Sequence, residues 1–458
     1  MKKYYFFIAI ILPFVLLKIT NLGIRLSDTN IYFNVAFRIL QGQLPYKDFF
    51  FANFPIFAYI SSFYYFLAFG NINLFYLTSI IETIIVTFFI YIISYAKTKN
   101  YLISITSSLL YIYSFIILST SDHQTGVSTA SLFAILAFYF FNKEKSFISG
   151  LFIALSILTK AYFLPIILSF LFYLLIKKQW KRIASFSLGI IVTGIIVLLP
   201  FLILSSKQFI NDIFGFSLTR PPGLLKTDIA WFFMTKDFLF FLLFLFNLIN
   251  FKKNLFFSLV SLFSLLFFLG YQDIYYLYLN FLTPFLCLSF YEMNSFIKKQ
   301  LGVQEMVILT IVLFFISLNF FVYIDNYRNL QKVNGIDNII SIIKKLRPNY
   351  LYGYNGLTPA LSVITNVPAL SNVNDAYVYF FRRGMYNKET LTDQAVSKKT
   401  IIITQGAEYP EYNIKQDVLD NEILNKEKVY KYCKNILSVP VKAEGNTNRI
   451  NLFKCYQN

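Results

Sequence analysis

Ser27-Asp28-Thr29-Asn30-Ile31-Tyr32 follows an apolar run, residues 4–22, that begins directly after Lys2-Lys3. That run is long enough to cross a bilayer as one helix, which places Asp28 just beyond a membrane surface. A basic pair before an apolar run also opens a secretory signal. Here no small-residue cleavage site follows and further apolar runs do, so an uncleaved first helix is expected. Further along comes Gly42-Gln43-Leu44-Pro45-Tyr46-Lys47-Asp48, which sets a second carboxylate in a turn.

The rest of the chain extends this reading. Of its 458 residues, 57% are hydrophobic and 14% charged, and the mean hydropathy is +0.58. Soluble domains carry about 25% charged residues, so a polytopic α-helical membrane protein is expected. The net charge of +18 would suit a nucleic-acid binder. The basic residues, however, gather at the ends of apolar runs and in a polar C-terminal region, so no nucleic-acid partner is expected.

The basic clusters are Lys2-Lys3, Lys97/Lys99, Lys143/Lys145, Lys177-Lys178/Lys181-Arg182, Lys252-Lys253 and Lys298-Lys299. If all six mark cytoplasmic ends, two crossings separate each consecutive pair and about 11 spans result. The N-terminus is then cytoplasmic and the C-terminal region extracytoplasmic. Parity places Asp28, Asp48, Asp122, His123, Arg220 and Asp273 on the same outer face. The interval 146–176 is too short for two full crossings of a ~30 Å hydrocarbon core. A helical hairpin that turns near Lys160 and Pro165 fits it better. The expected division is a membrane domain over 1–325, with a first outer loop at 23–72, and a small α/β domain over 326–458. In the latter, Tyr350–Tyr354 and Thr400–Thr404 read as strands and 335–343 as a helix with Asp337 as its candidate cap. Cys433 and Cys455 share that outer domain, where an oxidising compartment permits a disulfide. Cys287 falls in a span and reads as a packing residue.

The first outer loop is too long and aromatic to be a plain connector. From Thr29 to Leu40, Ile31, Val35 and Ile39 and also Tyr32, Ala36 and Leu40 recur at helical spacing. Asp28 at the start of that helix has a plain reading as its cap. Asp48 has a similar one in its turn, and Asp122-His123 reads as a polar helix start. Lys160 lies deep in an apolar stretch, where an ionisable group is a functional candidate; its plainer role is to snorkel to the interface.

An acidic residue after the first span, a helix with Tyr32 and Ala36, then Gly42-x-x-Pro45-Tyr46-x-Asp48 and Pro55 resemble the GT-C glycosyltransferases. These are polytopic enzymes that take sugars from polyprenyl-phosphate carriers. Ser149-Gly150-Leu151 through Leu158-Thr159-Lys160 and Tyr275-Tyr276 through Thr283-Pro284 extend the resemblance. It points to the protein O-mannosyltransferase and aminoarabinose transferase branch, glycosyltransferase family 39-like. It implies an inverting transfer to an acceptor hydroxyl, with Asp28 as the general base. Asp48, Tyr32, Tyr46, Asp122 and His123 are then acceptor or scaffold residues, and Lys160, Arg220 and Lys226 hold the donor phosphate. Implied partners are a polyprenyl-phosphate-linked sugar, membrane lipids and an acceptor glycan, lipid or protein. No cofactor is required. His123 is the one histidine, which excludes a histidine-rich metal site; a divalent cation on Asp28, Asp48 and Asp122 is the lesser alternative. One departure stands out. Relatives carry a lysine or histidine just before the loop prolines, where this chain has Ala52-Asn53-Phe54-Pro55. A flippase or transporter and a glycan polymerase are the competing readings. The absence of an evident internal repeat weighs against the first, and the early position of the informative loop against the second.

Overall fold

The computed structural model describes residues 2–216, 223–302, 304–330, 332–373, 375–409, 414–416, 423–443 and 446–455. The membrane region opens with α1 (Lys2–Ile19), then the first loop with α2 (Thr29–Leu40) and α3 (Pro55–Leu67), then α4 (Ile72–Thr98). Next come α5 (Tyr101–Ile112), α6 (Phe115–Thr120) and α7 (Val127–Asn142). The hairpin follows as α8 (Ser146–Thr159) and α9 (Leu164–Ile176), and α10 is Trp180–Ile210. The region closes with α11 (Lys226–Lys236), α12 (Phe238–Ile249), α13 (Leu255–Gly270), α14 (Thr283–Leu301) and α15 (Glu305–Val322).

These helices lie between the basic clusters, as the apolar runs predict. Many are nevertheless short or broken. Among the described residues, three stretches are long and apolar enough to cross a membrane alone: Ile72–Thr98, Trp180–Gly215 and Glu305–Tyr327. A fourth crossing would be the pair α11 and α12, which meet at 107°. The chain does break at Lys160, whose extended backbone (φ −143°, ψ 113°) ends α8 before the short turn Ala161–Phe163. The expected late span at 274–291 instead starts as a 3-10 segment, Tyr276–Phe281, ahead of α14. Helices α8 and α10 touch backbone to backbone. A Cβ on Gly150 would lie 2.1 Å from the Phe186 carbonyl oxygen, and one on Gly189 would lie 2.3 Å from that of Phe147. Small residues permit such an approach.

The C-terminal region holds α16 (Ile336–Leu346), β1 (Tyr350–Gly353), α17 (Thr358–Thr365), α18 (Val378–Arg382) and α19 (Lys388–Ser397). It continues with β2 (Thr400–Tyr409), β3 (Ile414–Gln416), α20 (Lys426–Tyr432), β4 (Cys433–Ala443) and β5 (Asn446–Cys455). The sheet order is β1-β2-β5-β4, with β3 against β2; β1 is parallel to β2 and the other pairings are antiparallel. Alternation along β2 gives the sheet two apolar faces. Ile401 and Ile403 share a core with Ile339 and Ile343 of α16, while Ile402 faces Leu391 of α19 and Val429 of α20. Cys433 and Cys455, register partners on β4 and β5, form a disulfide. Gly335, not Asp337, caps α16, in a left-handed conformation (φ 80°) that favours glycine.

The first core does not stop at the sheet. It also contains Tyr32, Phe33 and Phe57 of the first loop and Phe201 of α10. The first loop is thus clamped between the membrane helices and the C-terminal region.

Candidate active site

The site is built on α2, and α2 is held from below by a buried ion triad. Asp122 meets Lys18 at 3.2 Å and Arg25 at 3.1 Å. Lys18 also donates to the Tyr323 hydroxyl at 2.9 Å, and Arg25 to the Arg328 carbonyl at 2.9 Å. One carboxylate therefore ties the end of α1, the start of the first loop and the end of α15 together. Burial alone would raise the Asp122 carboxyl, but Lys18 and Arg25 hold it far below the usual carboxylate range. Burial pushes the His123 imidazole down to about 4, so it is neutral at physiological pH.

Above the triad, Asn30 fixes the first turn of α2. It donates to the Arg25 carbonyl at 2.7 Å and to the Gly356 carbonyl, and it accepts from the Tyr76 hydroxyl at 3.1 Å. The Ser27 amide also reaches the Gly356 carbonyl, at 3.2 Å. Thr29 and Asn30 are buried, whereas Asp28 between them and Ser27 is exposed. Its carboxylate makes no capping hydrogen bond to α2. It lies instead within electrostatic reach of Tyr162, from the α8–α9 turn, and of Tyr354, from the C-terminal region.

Tyr32 is one turn further along the same face of α2. Its hydroxyl accepts from Lys160 Nζ at 2.9 Å and from Asn53 Nδ2 at 3.1 Å, and Lys160 also donates to Asn53 Oδ1 at 3.1 Å. The ammonium lies 4.9 Å from the Tyr32 ring centre, and only 8% of the residue is exposed. The helix break makes this reach possible, because it turns Lys160 away from the apolar surface of α8. The Lys160 ammonium thus converges on Asn53, the position where relatives are expected to carry a cation.

Tyr46 and Asp48 stand behind Asn53. Asp48 accepts from the Leu44 amide at 2.7 Å and closes the turn. Tyr46 is buried with φ 66°, and its hydroxyl donates to the Asn53 carbonyl. The aromatic wall is completed by Tyr162 stacked on Tyr278 at 4.4 Å, with Tyr275 5.7 Å from Tyr278. Nearby, the Gly223 amide donates to the Gln272 carbonyl and the Leu224 amide to the Ile274 carbonyl, both at 3.1 Å. Lys226 donates to the Leu269 carbonyl. Arg220 lies outside the described residues.

The structure therefore brings Asp28, Tyr32 and Lys160 to one face of α2. It places Asp48 and Tyr46 in the support of Asn53, and Asp122 in the triad beneath. Among the described residues, no three His, Cys, Asp or Glu side chains form a metal-binding group. The sequence reading missed Arg25, Tyr162, Tyr278 and Tyr354. Arg25 carried a usable signal, a charge directly after a span. Tyr354 lay in Gly353-Tyr354-Asn355-Gly356, a stretch too sparse to suggest a ligand loop.

Residues 105–220 match the sequence profile of glycosyltransferase family 87. A search of curated proteins found no match. Two crystal structures of ArnT from Cupriavidus metallidurans are similar over 97% of both chains. The apo state gives a TM-score of 0.67 at 11% identity, and the state bound to undecaprenyl phosphate gives 0.66 at 12%. At such identity the likeness is one of fold, so the chain has a GT-C-type membrane fold with a small C-terminal α/β region.

Proposed function

We propose that this protein is an integral-membrane inverting glycosyltransferase that moves a sugar from a polyprenyl-phosphate carrier to an acceptor hydroxyl on the outer face. The observation that carries this reading is the shared face of α2, with an exposed carboxylate at Asp28 and a buried ammonium at Lys160 bonded to Tyr32. The family 87 match and the fold shared with an enzyme solved with undecaprenyl phosphate support it.

A sugar phosphate is already activated, so the protein must supply a base and a counter-charge. Asp28 takes the acceptor hydroxyl proton as that oxygen attacks the anomeric carbon. The bond from this carbon to the phosphate oxygen breaks on the opposite face, and its electron pair leaves on the carrier phosphate. Lys160 stabilises the departing charge. Attack opposite the leaving group inverts the anomeric centre in one step. Neutral His123 is no competing cation here. The acceptor is a hydroxyl on a glycan, lipid or protein, and Lys160 supplies its charge beside Asn53, where relatives are expected to carry a cation.

The test is turnover by the purified full chain with a polyprenyl-phosphate sugar and a hydroxyl acceptor, scored as free polyprenyl phosphate released. Asp28→Asn should lower the rate at least ~100-fold with unchanged membrane insertion. Near-wild-type turnover by this variant would remove Asp28 as the base.

A further inference from the structure

A cavity of about 490 Å³ opens far from the α2 site. Five lysines line it: Lys97 in the last turn of α4, Lys143 after α7, Lys177 after α9, and Lys252 and Lys253 before α13. Helix α4 connects the two regions. Tyr76 near its start bonds Asn30, whereas Lys97 near its end lines the cavity, about 30 Å of helix away. That separation matches the hydrocarbon thickness of a bilayer. The cavity therefore faces the opposite leaflet from Asp28, at the cytoplasmic surface that the lysine clusters mark.

Lysines at helix C-termini have a plainer role, since they offset the helix dipole and hold the inner surface. Three features go beyond it. The five side chains come from four separate segments yet border one cavity. Among the described residues none of the five pairs with a carboxylate; Glu292 is the single acidic residue in the lining. The inner wall is apolar, with Phe138 and Phe256 packed at 4.8 Å and Phe141 beside them. Strong positive charge above an aromatic wall matches an amphiphile with an anionic head, whereas a soluble anion has no use for the wall.

We infer that this cavity seats the phosphodiester headgroup of an anionic phospholipid from the inner leaflet, with the start of an acyl chain against Phe138 and Phe256. The lysines supply the phosphate contacts, and basic pockets between membrane helices are suited to such headgroups. The site is distinct from the donor site and does not depend on the glycosyltransferase reading.

The experiment is native mass spectrometry of the purified full chain, titrated with short-chain phosphatidylglycerol or phosphatidylcholine, with inorganic phosphate and a polyprenyl phosphate as competitors. Phosphatidylglycerol should bind in preference to phosphatidylcholine and resist excess inorganic phosphate. K97Q/K252Q should weaken it roughly 30-fold, taking about 1 kcal/mol per surface lysine. The control K145Q/K178Q, on lysines outside the lining, should leave binding unchanged. Equal binding of the two phospholipids, or unaltered affinity in K97Q/K252Q, would overturn the site. Displacement by equimolar inorganic phosphate would replace the lipid with a soluble anion. Preferential capture of the polyprenyl phosphate would make it a carrier site instead. Because the readout is binding, failure of sugar transfer leaves this result unaffected.

Discussion

Lys160 is the side chain on which the proposed chemistry turns. An ammonium removed from bulk water is costly, and Lys160 donates to the Tyr32 hydroxyl and to Asn53 Oδ1. In the proposed mechanism this fixed positive charge meets the carrier phosphate as the anomeric bond breaks. Lys160→Gln should therefore lower turnover about 100- to 1000-fold. Asn53 Oδ1 is 3.1 Å from the ammonium, so a lysine at position 53 would bring its charge to the same region. N53K/K160Q should recover part of the lost rate, measured as carrier phosphate released. A double variant as inactive as K160Q, with unchanged thermal unfolding, would deny Lys160 its role as an interchangeable positive charge. Asp122 acts differently. Its carboxyl is held low in the folded protein, so its stabilising effect is complete above the unfolded carboxyl value of about 3.9 and is lost as pH falls below it. Asp122→Asn should destabilise the fold by about 3–5 kcal/mol, because it leaves Lys18 and Arg25 buried without their anion. Thermal unfolding in detergent at neutral pH measures this, and the gap from wild type should narrow in acid. At this scale the sequence was partly legible. Helical spacing alone puts Asp28 and Tyr32 on one face. The Arg25–Asp122 and Lys160–Asn53 contacts join residues about a hundred positions apart, and no local pattern encodes those.

Among the elements, α8 and α10 show why helix positions are easier to read than helix contacts. Apolar runs and lysine clusters place both helices, because burial in lipid requires a continuous apolar surface and cations mark its ends. Their close approach depends on Gly150 and Gly189, each opposite a backbone carbonyl of the other helix. Gly150 was read only as part of the Ser149-to-Lys160 motif, and its partner was not anticipated. A leucine at 150 would force the helices apart and shift the end of α8, and Lys160 with it. Gly150→Leu is thus expected to lower turnover at least ~10-fold and to destabilise the protein by about 1–3 kcal/mol. Gly194, with nothing within 4 Å of an added Cβ, is the control on α10: Gly194→Ala should leave both quantities close to wild type. Equal effects at the two glycines would argue against the close contact. The breaks at Lys160 and between α11 and α12 were legible only in part, since a bend of 107° leaves the same apolar composition as a straight helix.

Over the whole molecule, the C-terminal region packs against the first loop and walls the candidate site. A composition change near Asp325 marked a boundary, and strand patterns at 350–354 and 400–404 gave its class. That it shares a core with the first loop was not legible, because the spacing over Thr29–Leu40 gives a helix with apolar stripes but not what covers them. In the fold, Asn30 and Ser27 meet the Gly356 carbonyl, Asn34 donates to the Pro359 carbonyl at 3.0 Å, and the Val333 amide donates to the Ile24 carbonyl at 3.0 Å. Without these partners, α2 would keep its footing on Asp122 and Tyr76 but lose its opposite wall, including Tyr354 beside Asp28. A chain ending at residue 325 should therefore still insert, yet show fast amide exchange across Thr29–Leu40 and turnover reduced at least ~100-fold. Exchange of the α1 and α4 amides is the internal reference, because Lys18–Asp122 and Tyr76–Asn30 lie within the retained part. Protected α2 amides in the shortened chain would mean that the membrane helices alone organise the first loop, and the C-terminal region would then be left with a role in acceptor binding.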